Sequence, residues 1–301
     1  MTKKLSKILK LAAVSVLSMG LLAGCGDAKD ASSADVNASA ATQNTEAPAI
    51  NTLDKDTIVM GTNAAFPPFE YYENGEVVGF DPDFVQLVCD KLGKKLVIED
   101  MDFDTLIIAL NQGKIDLVAA GMTNTEKRAQ QVDFSDDYFE TTQLIIVKKD
   151  NEEIKTPDDL KGKKIGVQAG TTGELYVTGT EGIDENDVAS YKTAPQAVMD
   201  LANGKIDAVV IDQAPAKAMV EQNSDVKVLD EEFTNEFYAI AVRKGDSELL
   251  KAINETLAEM KENGKYDELM QKYFPADDAK AEGETSEATP EATPVATDDA
   301  A

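Results

Sequence analysis

The chain has 301 residues, enough for one large domain or two of ordinary size, and carries 56 acidic against 29 basic residues for a formal charge of −27. That balance argues against nucleic acid as a partner, because neutralising phosphates needs a basic surface. The complete absence of histidine excludes histidine triads, histidine general bases and the commonest transition-metal sites. Two cysteines, Cys25 and Cys89, build neither a disulfide framework nor a zinc knuckle, and no metal or cofactor is expected. Tryptophan is absent too, so any aromatic wall must be Phe or Tyr.

At the start of the chain Lys3, Lys4, Lys7 and Lys10 precede an apolar run over 11–23. A charged start and a short apolar run form a secretory signal, too short for a stable membrane span. The run ends Leu22-Ala23-Gly24-Cys25, which resembles the lipobox of bacterial lipoproteins. That resemblance implies a lipid on Cys25, which becomes the mature N-terminus; an ordinary signal peptide with a chance cysteine is the alternative. Residues 26–55, rich in Ala, Ser, Asn, Thr and Asp, read as a flexible tether.

From 56 to 275 strand and helix patterns alternate, and these 220 residues carry −21. A strand is expected over 56–62. Asp81-Pro82 reads as the cap and first turn of a helix that ends at Gly93 and holds Cys89 as a buried thiol. A strand over 95–98 leads to an amphipathic helix with Phe103, Leu106, Ile107 and Leu110 on one face. Gly113 stops it, and a strand follows over 115–121. Thr125 has the form of an N-cap, with Arg128 at the third helical position. Beyond an apolar strand at 143–147, Thr156-Pro157 starts a short helix. A strand over 164–168 then runs into the helix start Gly170-Thr171-Thr172. A strand near 188–191 precedes a helix bearing Val198, Leu201 and Ala202, a stop at Gly204 and a strand over 206–212. A helix over 213–220, an apolar strand over 237–242 and helices over 247–263 and 266–274 follow. Residues 276–301, with Glu-Ala-Thr-Pro twice in succession, read as a solvated acidic tail.

Two segments match one another: Leu110-Asn-Gln-Gly-Lys-Ile-Asp-Leu-Val118 and Leu201-Ala-Asn-Gly-Lys-Ile-Asp-Ala-Val209. Each is a helix end, a glycine stop and a strand start. Alternating strands and helices imply an α/β fold with mainly parallel sheets covered on both faces, and the repeat implies two sheets, hence two lobes. Lobe 1 is expected to take 56–140 plus 237–275, and lobe 2 to take 141–236. The strands at 143–147 and 237–242 are the expected crossings between them.

Ligands of open α/β sheets sit beyond the carboxyl ends of the strands. Five residues on from the repeated aspartates Asp116 and Asp207 lie Gly121 and Asp212, at equivalent strand ends. Arg128 is one of only two arginines among the 29 basic residues; a solvated helix-start arginine is the alternative, but with Thr123 beside it and a strand end before it, a planar fork in bidentate grip on a carboxylate is the leading reading. Backbone N–H groups at Gly170-Thr171-Thr172 suit an anionic oxygen. Asp212 is either a helix cap or the counter-ion of a cation, with the cap favoured by composition. Together these groups suit a zwitterion.

The motifs Gly61-Thr-Asn-Ala-Ala-Phe-Pro-Pro-Phe-Glu70, Gly79-Phe-Asp81, Ala120-Gly-Met-Thr-Asn-Thr-Glu-Lys-Arg128, Val132-Asp-Phe-Ser135 and Gly170-Thr-Thr172 resemble the polar amino-acid substrate-binding proteins of ABC importers, the family 3 solute-binding proteins. The resemblance spans about 56–275. It implies a two-lobed periplasmic-binding-protein fold of type II that closes around one amino acid and presents it to a membrane permease. It further implies an extracytoplasmic, lipid-anchored monomer that is not an enzyme. Carried over by position, Arg128 would hold the ligand α-carboxylate with the N–H groups of Thr123 and Thr172. Asp212 would hold the α-ammonium with the Gly121 carbonyl and the Thr123 hydroxyl. Phe66 and Phe103 would stack along the ligand, or else pack in the core. Asn63 and Gln168 would face the ligand side chain, and Thr171 belongs to the same helix start. Members taking cationic ligands often have aspartate at the place of Asn63, so a polar uncharged ligand such as glutamine is expected, with a cationic amino acid or cystine as the alternative. A dehydratase on the same fold and an extracellular sensor module are the rival classes.

Overall fold

The computed structural model describes residues 51–231 and 234–274. The signal, the lipidation site at Cys25, most of the expected tether and the acidic tail lie outside the described residues. The end of that tether, residues 51–55, belongs to the folded part. Thr52 is buried beneath the turn Thr52–Asp54, where its hydroxyl pairs with the Asp246 carboxylate and accepts from Arg243. Lys55 pairs with buried Asp116. Arg243, the second arginine, is therefore a structural clasp.

Two five-stranded sheets define two lobes. In the first, Lys95–Asp100, Thr57–Thr62 and Leu117–Val118 run parallel, and Ala241–Arg243 and Val132–Phe134 extend the sheet antiparallel. In the second, Val188–Tyr191, Ile165–Gln168 and Ala208–Asp212 run parallel, followed by antiparallel Gln143–Lys148 and Val226–Val228. The order of directions is the same in both. The repeated strand is central in each sheet, although in lobe 1 it is only two residues long where seven were expected.

The repeat is also structural in its details. Gly113 and Gly204 take φ of +71° and +70°, the left-handed turn that ends a helix. After each glycine a lysine N–H bonds the fifth carbonyl back, Lys114 to Ala109 and Lys205 to Asp200. Asp116 and Asp207 then accept from the neighbouring strand through the N–H groups of Val59 and Lys164.

The chain crosses between lobes on a short antiparallel pair, Phe139–Thr141 with Glu236–Tyr238; the second overlaps the start of the crossing expected at 237–242, whereas the first precedes the strand expected to cross at 143–147. The run Gln143–Lys148 is buried along almost its whole length within the second sheet, which is why it reads as apolar. The long C-terminal helix Ser247–Glu262 packs with Phe80–Leu92. Cys89 is fully buried on the latter, as expected. Among the described residues no helix is long and apolar enough to cross a membrane.

Candidate functional site

Ten residues were expected at the ligand: Asn63, Phe66, Phe103, Gly121, Thr123, Arg128, Gln168, Thr171, Thr172 and Asp212. All ten line one cavity between the sheets, with Glu70 and Ala120 added.

Arg128 is placed from its own backbone outwards. The Thr125 hydroxyl caps the helix Glu126–Ala129 by accepting from the Arg128 N–H at 3.2 Å. The guanidinium then folds back: Nη1 donates to the Thr123 carbonyl at 2.7 Å and Nη2 to the Gly170 carbonyl at 2.9 Å. It lies 5.4 Å from the centroid of the Phe103 ring. Phe103 also packs with Leu106, Leu110, Ile115 and Met122, so it serves core and cavity together. Arg128 is 7% exposed. Burial pulls its pKa down, against the attraction of Glu236 and Asp212. Two of its five N–H donors are used within the chain, and the others remain for an anion.

On the opposite edge Thr171 caps the helix Thr172–Gly179, its hydroxyl accepting from the Glu174 N–H at 3.3 Å. Asp212 ends the central strand of the second sheet and stands at the N-cap position of the helix Gln213–Glu221, the place composition favoured, without capping it through its side chain. Its side chain makes no cap hydrogen bond, and Oδ1 is buried without a partner. Burial raises its pKa to about 7, with nearby Glu236 adding to the rise and the Tyr238 and Gln143 side chains opposing it. A desolvated carboxylate with an idle oxygen is the arrangement a cation relieves.

Asp81 departs from expectation in the same way. The helix Phe80–Leu92 is preceded by Gly79, and Asp81 lies inside the first turn, fully buried. Its Oδ2 accepts from the Gly121 N–H at 3.0 Å and from the Tyr138 hydroxyl at 2.8 Å. Gly121 has φ of +51°, and a Cβ there would come within 2.7 Å of the Phe66 ring. Only glycine fits this turn beside the ring.

Asn63 and Gln168 form the other end of the cavity. Gln168 Nε2 donates to Asn63 Oδ1 at 2.9 Å, and Asn63 Nδ2 donates to the Met101 carbonyl at 2.9 Å. Gln168 Nε2 also donates to the Lys192 carbonyl at 3.2 Å, so its donors are spent, whereas Asn63 Nδ2 keeps one N–H. This end retains neutral acceptor oxygens and that one N–H.

Sequence reasoning gave no role to Glu70 or Glu236. Glu236, on a crossover strand, accepts from the hydroxyls of Thr123 at 2.7 Å and Thr172 at 2.6 Å and from Gln143 Nε2 at 3.1 Å. It ties both cavity edges to the hinge. The available signals were an acid opening an apolar strand and an acid inside the aromatic run Phe69-Glu70-Tyr71.

The lobes are closed upon one another. Arg128 to Gly170 and Gln168 to Asn63 cross between them, as does an ion pair of Lys192 with Asp102 at 2.7 Å.

Two lobes hinged on paired crossover strands, clasping a small cavity with a cationic and an anionic pole, define a solute-binding protein. The chain belongs to the bacterial extracellular solute-binding proteins, family 3, whose model matches residues 58–276. It is 38% identical over 228 residues to the "Probable histidine-binding protein" of Neisseria gonorrhoeae, covering 74% of this chain and 84% of that protein. It is 35% identical to the ABC transporter glutamine-binding protein GlnH of Bacillus subtilis over 282 residues, covering 92% of this chain and all of that one. Among solved structures, an ancestral arginine-binding protein bound to arginine is 50% identical with a TM-score of 0.70, covering 73% of this chain and 99% of that one.

Proposed function

We propose that the protein binds one free amino acid between its lobes and delivers it to the permease of an ABC importer. The observation that carries the reading is the pairing of two buried, incompletely satisfied charges on facing edges of one cavity, Arg128 and Asp212. The α-carboxylate meets the free N–H groups of Arg128 and the N–H groups of Thr123 and Thr172. The α-ammonium meets Asp212, with the Gly121 carbonyl and the Thr123 hydroxyl. Phe66 and Phe103 flank the ligand. Closure follows from differential affinity, because the ligand bridges groups that come together only in the closed state.

The distal end carries no formal charge. Asn63 and Gln168 offer acceptor oxygens and one N–H, which suits a side-chain amide, and glutamine is the ligand we infer. The glutamine-binding relative supports that choice. A cationic amino acid is the second reading, favoured by the arginine-bound neighbour. Calorimetry with the twenty amino acids separates them. Glutamine is expected to bind more tightly than arginine or lysine; the reverse order overturns the Asn63 argument and establishes the second reading.

A lipid on Cys25 would tether the protein outside the membrane, as the Leu22-Ala23-Gly24-Cys25 run supports. A single acyl chain binds a bilayer only marginally, so more than one chain is required there. Replacing Cys25 with Ser is expected to release the protein from the membrane fraction.

A further inference from the structure

Glu70 lines the cavity and is 1% exposed. Neither of its carboxyl oxygens has a hydrogen-bond donor, and Asp81 Oδ1 lacks one as well. The two side chains lie within hydrogen-bonding reach of one another. The backbone builds this meeting: the Asp81 N–H donates to the Phe69 carbonyl at 3.0 Å and the Phe80 N–H to the Pro68 carbonyl at 3.2 Å. Gly79 between them has φ of +139°, and a Cβ there would fall 2.0 Å from the Phe69 carbonyl oxygen. Nothing larger allows so close an approach.

Two buried carboxyls in contact cannot both ionise cheaply. A proton between them supplies the missing donor, satisfying Asp81 Oδ1 and one Glu70 oxygen. The second Glu70 oxygen is left idle on the cavity wall. Burial first, then the neighbouring Asp81, pushes the Glu70 carboxyl well above the usual range; burial brings Asp81 to about 6, while the Gly121 and Tyr138 donors hold it down. Asp212 faces the pair from the second sheet, with Glu236 beyond it. The hydroxyls of Tyr138 and Tyr238 approach from either side of the hinge and are pushed up by burial, so they stay neutral. Arg128 is the only cation among the described residues lining the cavity.

We propose that Glu70 is a second counter-ion for the ligand ammonium, and that it holds a proton shared with Asp81 when the site is empty and gives it up when the ligand binds. This rests on the amino-acid reading above. The Glu70 O–H bond breaks heterolytically, its electron pair stays on the carboxylate, and the proton passes to solvent as the –NH₃⁺ group takes its place. The charge inside the cavity is conserved at that pole. Binding is thereby linked to proton release, so affinity rises with pH across the range where the empty site is protonated and the loaded site is not. The upper limit for one proton is tenfold per pH unit.

The test is calorimetry of the whole protein with glutamine and with arginine near pH 6, in buffers of different ionisation enthalpy, for the native chain and Glu70→Gln. Native protein is expected to release about one proton or more per ligand, since Asp212 also titrates nearby, and the variant about one fewer. Its affinity is expected to vary with pH by up to tenfold less per unit. Equal release by both proteins, or none by the native one, overturns the proposal while leaving amino-acid binding intact. Failure of all twenty amino acids to bind overturns the functional reading, and the proposal with it. Should Glu70→Gln not fold, infrared difference spectra of the native protein serve instead. Loss of a protonated-carboxyl C=O band on binding supports the proposal, and an unchanged band overturns it.

Discussion

The Arg128 guanidinium donates to the carbonyl of Gly170 at 2.9 Å across the gap between the lobes. The group assigned to the ligand carboxylate is thus also a latch of the closed state. Closure and ligand binding share one side chain, and they should be lost together.

Replacing Arg128 with Ala removes the positive pole and strands the ligand carboxylate in a dry cavity. A cost of about 2–5 kcal/mol is expected, or a weakening of roughly 30-fold or more. Arg128→Lys should restore little, because a single ammonium cannot reproduce the fork that spans Thr123, Gly170 and an anion. Titration calorimetry reads both. Near-native binding by Arg128→Ala would remove it from the site.

The Lys192–Asp102 ion pair also crosses the lobes, but its lysine side chain is 72% exposed. Exposed pairs contribute about 0–1 kcal/mol. Lys192→Ala is therefore expected to change affinity by less than about fivefold, and less still in high salt. A larger loss in the same assay would show that the bridge orders the cleft.

Asp212 gives a signed pH dependence of stability. Its folded pKa, raised to about 7 from 3.8, means that the folded empty protein binds more protons than the unfolded chain between those values. The resulting stabilisation is complete below 3.8 and is lost as pH rises through about 7. The ligand-free protein is expected to melt several degrees higher near pH 5 than near pH 7.5. In Asp212→Asn this gradient should flatten. Calorimetric melting of the two proteins decides it, and an equal gradient would contradict the assignment.

Phe69 is fully buried at the hinge, with ring centroids of Phe139, Tyr238 and Phe274 at 4.8, 5.0 and 5.2 Å. Phe69→Ala is expected to cost about 3–5 kcal/mol of unfolding free energy through lost burial and the cavity left behind. Urea titration followed by circular dichroism measures it. A loss below about 1 kcal/mol would show that the cluster collapses around the gap.

Gly121→Ala is expected to be destabilising on two counts. An L side chain is strained at φ +51°, and its Cβ would press on Phe66 at 2.7 Å. Displacing Phe66 and the Gly121 carbonyl moves two walls of the cavity, so affinity should fall along with stability. Unchanged binding in this variant would place the ligand elsewhere in the cleft.

Much of the site was legible in the sequence because its parts are set by short-range geometry. Thr125 and Thr171 cap helices, glycines stop them, and Gly121 and Asp212 follow repeated strands at equal distances; each rule spans only a few residues. The alternation of strand and helix and the internal repeat likewise settled the fold class and the two large sheets, though not the small two- and three-stranded ones. The roles of the acids were not legible. Asp81 and Asp212 have the local form of caps, and only burial against distant groups makes them desolvated carboxylates. Glu70 meets Asp81 through a backbone approach at Gly79, and Glu236 reaches the cavity because the crossover pair passes beneath it. Local chain geometry is encoded by neighbours in sequence, whereas desolvation and charge coupling depend on which remote segments are folded against a group. The tertiary structure alone decides those.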